Sequence, residues 1–136
     1  MPKKYFTLEE AQQEIPKIRA LLNTLQQLHK AIEMVNSVKL NPHEFDEDEM
    51  NLMNIKLNKD FHKLSYEFYQ EMEKFEETGC IMKDFDEGLI DFFSKFEGRD
   101  IFLCWRVGED KIKFWHEIEG GFSGRKPIVD LESQTL

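Results

Sequence analysis

Three side chains in the second half of this 136-residue chain could act together in nucleophilic chemistry: Asp91, Cys104 and His116. A thiol, an imidazole that takes its proton and a carboxylate that orients the imidazole make a nucleophile, base and orienter. The plainer alternative is a small buried thiol and a hydrogen-bonded sheet histidine. The same three residues with Cys80 also have the donor types of a metal site. They lack the close C-x-x-C or H-x-x-x-H spacing by which zinc sites are read, so the sequence assigns no metal and no cofactor. The acidic run EFDEDE at 44–49 has the charge of a calcium loop but neither its glycine nor its closing Glu, and reads as a solvated helix start.

A second group of residues could hold an anion. In Gly120-Gly121-Phe122-Ser123-Gly124-Arg125, glycines allow successive backbone N–H groups to turn toward one point. Arg125 would add a planar fork of donors suited to a carboxylate or phosphate. On this reading Arg125→Ala leaves the melting temperature almost unchanged and removes stabilisation by an anion. The competing reading is an ordinary Gly-rich turn with a surface arginine. Arg106 and Glu109 flank a tight turn and could simply pair with each other, which would contribute little.

The elements that must position these groups can be read from pattern. Thr7 and Glu10 form a capping box, and apolar residues from Leu8 to Val35 recur at three- and four-residue steps. This predicts a helix to about residue 37, kinked or briefly broken near residues 14–16 by Pro16. Met50, Met53, Leu57, Phe61, Leu64, Phe68 and Phe75 trace a seven-residue repeat in a second helix, ending near Thr78 with Gly79 as its left-handed close. The two helices form an antiparallel hairpin over about 7–78. Two helices cannot enclose a core, so the second half or another chain must cover them.

All seven glycines lie at or after Gly79, where aromatic and β-branched runs alternate with turns. Residues 79–128 therefore read as a small antiparallel sheet with a Gly-rich loop, and the fold class is α+β in a single domain. A two-residue Glu97-Gly98 loop sets Phe96 opposite Arg99 and Asp91 opposite Cys104. A three-residue loop at 108–110 sets Val107 opposite Lys111, Phe102 opposite His116 and Cys104 opposite Phe114. By alternation one face then carries Ile90, Phe92, Ile101, Leu103, Trp105, Val107 and Trp115. The other carries Leu89, Asp91, Phe93, Phe102, Cys104, Arg106, Phe114 and His116. A one-residue slip in either loop would scatter the set. The closing residues 129–136 carry little pattern and are expected to fray.

Composition excludes whole classes. A net charge of −9 argues against general nucleic-acid binding, which rests on neutralising phosphates. No run reaches the ~20 apolar residues of a membrane span, and no apolar stretch follows Lys3 and Lys4 as in a signal peptide. Two cysteines are too few for a disulfide framework. A cytoplasmic chain with no membrane and no nucleic-acid partner is expected.

Several segments, taken in order, resemble one family. They are FTLEEAQQEIP at the start, KDFDEGLIDF at 83–92, LCWRVGE at 103–109, WHEIEGGFSGR at 115–125, and Pro127-Ile128. The chain is identified by these as resembling a prokaryotic family, domain of unknown function twenty-two-oh-three, over nearly its whole length. The resemblance implies no reaction. It marks Lys83, Asp84, Gly88, Asp91, Cys104, Trp105, Arg106, Glu109, Trp115, His116, Gly124 and Arg125 as matching positions. Relatives often carry an aliphatic residue where this chain has Cys80, which weakens Cys80 as a ligand.

Two functional readings follow. In the first, a small anionic ligand binds at the sheet and Gly-rich loop. Lys83, Arg106 and Arg125 meet its charge, Glu109 and Asp91 orient polar atoms, and Trp115 or Trp105 gives a stacking wall. In the second, the helical hairpin is a coiled-coil-like module with no catalysis, pairing with a second copy or another protein, with Met50, Met53 and Met72 as adaptable contacts. The first predicts arginines converging on a concave pocket. The second predicts an apolar stripe left open on the helices.

Overall fold

A computed structural model describes residues 3–132. Two helices, α1 (Leu8–Asn36) and α2 (Glu47–Glu77), precede five strands: β1 (Ile81–Asp84), β2 (Leu89–Phe96), β3 (Arg99–Arg106), β4 (Phe114–Glu117) and β5 (Lys126–Pro127). A helical turn, α3 (Val129–Glu132), follows. The sheet is antiparallel in the order β1-β2-β3-β4-β5, so the α+β class is correct. No helix among the described residues is long and apolar enough to cross a membrane. Fraying expected for the last residues meets a helical turn at 129–132, and 133–136 lie outside the described residues.

The chain divides into two compact units. Among the described residues, one comprises those up to Leu22 and from Phe75 onward; the other is Asn23–Lys74. The division falls inside the helices and not at Gly79.

In the sheet-bearing unit, the capping box forms as expected. Thr7 N–H donates to Glu10 Oε1 at 2.9 Å, and Glu10 N–H donates to Thr7 Oγ1 at 3.1 Å. α1 then runs through Pro16 without the expected break. A proline removes only one helical hydrogen bond, while Ala11, Ile15, Ile18 and Leu22 are all buried along one stripe. Gln12, in the turn before Pro16, also exchanges two hydrogen bonds with the backbone of Ile112 (2.9 and 3.1 Å). That tie holds the turn to the sheet-bearing segment. Gly79 closes α2 with φ 83°, as the left-handed position requires.

The β2–β3 register is the expected one, with Phe96 opposite Arg99 and Asp91 opposite Cys104. Phe102 opposite His116 and Cys104 opposite Phe114 also hold. The loop between β3 and β4 is longer than three residues: 107–113 leave the ladder. Glu109 draws the chain away from pairing. Its Oε1 accepts from the Arg106 N–H at 2.6 Å, and its carbonyl accepts from Trp105 Nε1 at 2.9 Å. Ile90, Phe92, Ile101, Leu103, Trp105 and Trp115 are buried on one face, whereas Val107, past the end of β3, is 40% exposed.

The unit Asn23–Lys74 is a pair of helical segments. α2 begins on a second reciprocal cap: Glu49 N–H donates to Asp46 Oδ1 at 2.8 Å, and Asp46 N–H to Glu49 Oε1 at 3.3 Å. Leu25 is buried. Leu28, Ile32 and Val35, and across from them Met50, Met53, Leu57, Phe61, Leu64 and Phe68, are only half-buried. The His29 and Phe68 rings approach to 6.4 Å. Two helices thus leave their shared seam partly wet.

Candidate functional site

Alternation along β2, β3 and β4 brings Asp91, Cys104 and His116 to the same face of the sheet, through a register set by two loops. A carboxylate oxygen of Asp91, Sγ of Cys104 and a ring nitrogen of His116 lie within 4.8 Å of one another. The three residues are 1%, 0% and 3% exposed. His116 Nε2 donates to Asp91 Oδ2 at 3.0 Å, and Nδ1 donates to the carbonyl of Glu117 at 2.7 Å. Both ring nitrogens are thus engaged, and these contacts favour the protonated ring.

This geometry decides what the thiol can do. A histidine that activates a nucleophile needs one nitrogen free to accept the thiol proton. His116 has none free for Cys104. Burial, and then the neighbouring Asp91 charge, pushes the Cys104 thiol up to about 12, so it stays protonated. Cys80, likewise buried, is pushed up to about 11. The constellation gathers the expected residue types but holds them as a closed cluster.

The anion-binding candidates are also engaged. Arg125 Nη2 donates to Glu109 Oε1 at 2.6 Å, the same oxygen that accepts from the Arg106 N–H. Glu109 therefore fills the position that an external carboxylate would take. The Arg125 guanidinium lies 4.2 Å from the ring centre of Phe114 and 4.7 Å from that of Phe122, so it meets two aromatic rings. The Arg125 side chain is 12% exposed, so it is built into the fold. The loop N–H groups are not turned to a common point. Those of Gly120, Gly124 and Arg125 donate to the carbonyls of Glu117, Gly121 and Phe122.

Arg106 is more open. It pairs with Glu87, with both side chains substantially exposed, and its guanidinium stands 5.7 Å from the Phe122 ring. A hollow of about 220 Å³ here is lined by Asp84, Glu87, Leu89, Arg106 and Phe122. Lys83 lies over the Phe102 ring at 4.4 Å. Trp115 is buried on the opposite face, against Phe96 and beneath Lys126, and Trp105 is buried there too. Neither tryptophan is a wall beside the arginines. A larger hollow of about 450 Å³ near Tyr5–Leu8 and Leu131 contains none of the candidate residues.

Sequence reading did not find Glu87 or Phe122. Glu87 is 19 residues from Arg106, and nothing local ties the two. An aromatic between glycines and an arginine was the available signal for Phe122.

The family model described as "Uncharacterized conserved protein (DUF2203)" matches residues 4–128. The chain belongs to that family. No curated protein and no solved structure matches it.

Proposed function

We propose that this protein is a self-associating module whose α2 helices pair antiparallel across a two-fold axis. The carrying observation is a stripe on α2, on the side away from the seam. Leu52, Ile55, Tyr66 and Tyr69 are 68%, 64%, 64% and 67% exposed. With Lys59 and His62 they follow alternating three- and four-residue steps, so all six project from one side of the helix. Two exposed pairs, Leu52 with Ile55 and Tyr66 with Tyr69, flank Lys59 and His62 along this side.

The spacing of the stripe is symmetric about its centre. The steps 3, 4, 3, 4, 3 read the same in both directions. An antiparallel copy centred between Asp60 and Phe61 sets Leu52 against Tyr69, Ile55 against Tyr66 and Lys59 against His62. A two-fold interface requires this kind of match, because one patch must fit itself. The paired stretch is about 26 Å long at the helical rise. A parallel arrangement would bring the two acidic starts, Asp46–Glu49, side by side; the antiparallel one separates them.

Sedimentation velocity of the full chain tests this directly. The wild type sediments as a dimer, and the Ile55→Glu, Tyr66→Glu variant sediments as a helical monomer. A wild type that is monomeric at micromolar concentrations overturns the proposal.

The reading as a binder of a small anion is favoured by one observation, the Arg106–Glu87 pair. An exposed pair of this kind contributes about 0–1 kcal/mol, so an incoming carboxylate can replace Glu87 at little cost. Leu89 and Phe122 would then contact the ligand's apolar part. Thermal shift with a panel of small carboxylates tests it: stabilisation that disappears in Arg106→Ala supports this site, and no shift in wild type rejects it.

A further inference from the structure

The cluster of Asp91, Cys104 and His116 has features that an ion pair alone does not require. Its donor set is a thiol, an imidazole and a carboxylate, the combination that suits zinc and its neighbours. The donor atoms converge within 4.8 Å. His116 directs Nε2 inward while Nδ1–H is fixed on the Glu117 carbonyl, the outer-sphere contact that orients metal-binding histidines. Asp91 Oδ1 is buried and has no hydrogen-bond partner. A buried carboxylate oxygen without a donor is unfavourable, and a cation would satisfy it.

We propose that Asp91, Cys104 and His116 form a binding site for a divalent transition metal of the zinc type. The oxygens of Asp91, Sγ of Cys104 and Nε2 of His116 are the ligands. As the ion enters, the Cys104 thiol gives up its proton and Nε2 of His116 turns its lone pair to the metal. Of the cations near this face, Arg125 is neutralised by Glu109 and Lys83 stands over the Phe102 ring. The loop bearing Gly120 runs close by: a Cβ built at Gly120 would stand 3.7 Å from the His116 Cβ. Sequence spacing hid the site because its ligands come from three strands and only the sheet register assembles them.

The test uses the full chain, stripped with chelator and titrated with Co²⁺. Tetrahedral thiolate coordination produces a near-ultraviolet sulfur-to-cobalt charge-transfer band and strong visible bands, which Zn²⁺ then bleaches. We expect saturation at one equivalent, loss of the charge-transfer band in Cys104→Ser, and its retention in Cys80→Ser. His116→Gln loses the tight phase as a second, independent variant. If the folded wild type shows no saturable bands, or if Cys80→Ser removes the band and Cys104→Ser keeps it, the proposal fails. The cluster is then an ion pair with a buried thiol. The wild-type titration decides even if a variant does not fold.

Discussion

Asp91 on β2 and His116 on β4 join at 3.0 Å across the intervening strand β3. The bond bridges two strand spacings, about 9–10 Å of sheet. It ties β4, which is only four residues long, to β2, with the Cys104 thiol packed nearby.

Removing one end should therefore be expensive. His116→Ala leaves the Asp91 carboxylate buried and unpaired, and should lower unfolding free energy by about 3–5 kcal/mol. Asp91→Ala combined with His116→Ala should cost less than His116→Ala alone. Urea denaturation of the chelator-treated protein measures both, and a loss below about 1 kcal/mol for His116→Ala would contradict the burial and pairing described here.

The pair also sets a pH dependence for the metal-free protein. Burial alone would lower the His116 pKa, but its hydrogen bonds to Asp91 and the Glu117 carbonyl outweigh burial and hold it above the ordinary 6.5. A raised folded pKa gives stability that is complete below the unfolded value and is lost as pH rises through the folded one. Melting temperature should fall with pH above 6.5, and His116→Gln should flatten that part of the profile.

Both thiols should be silent in the native state. With Cys80 pushed up to about 11 and Cys104 to about 12, and both buried, neither supplies thiolate at neutral pH. A chromogenic thiol reagent should react with both cysteines in denaturant and with neither in buffer. Rapid native labelling of Cys104 would show that the cluster opens to solvent.

Arg125→Ala should destabilise the protein. Arg125 donates to Glu109 and packs against Phe114 and Phe122, so the substitution should cost on the order of 2 kcal/mol. This reverses the expectation from sequence, in which Arg125 was an available fork. Thermal denaturation without ligand distinguishes the two.

Local features were readable in the sequence. The Thr7–Glu10 cap, the Gly79 close and the β2–β3 register each depend on residues a few positions apart. The face shared by Asp91, Cys104 and His116 followed from that register together with the β3–β4 pairing. What was not readable depended on distant partners. Glu109 could be seen beside Arg106, but its bond to Arg125 crosses 16 residues. Pro16 predicted a break because its cost is local, whereas the burial of Ile15 and Ile18 that offsets it is not. The residue types for an activated thiol were present, but which acceptors His116 meets depends on ring orientation, which spacing does not encode.

The pairing of α2 with a second copy is tested most directly by cysteine cross-linking. Leu52→Cys protein and Tyr69→Cys protein are prepared separately, mixed and oxidised. The antiparallel register predicts an efficient disulfide between the two different variants and little between identical ones, with the native thiols buried and inert. Equal cross-linking in all three samples, or none in the mixture, would contradict the arrangement.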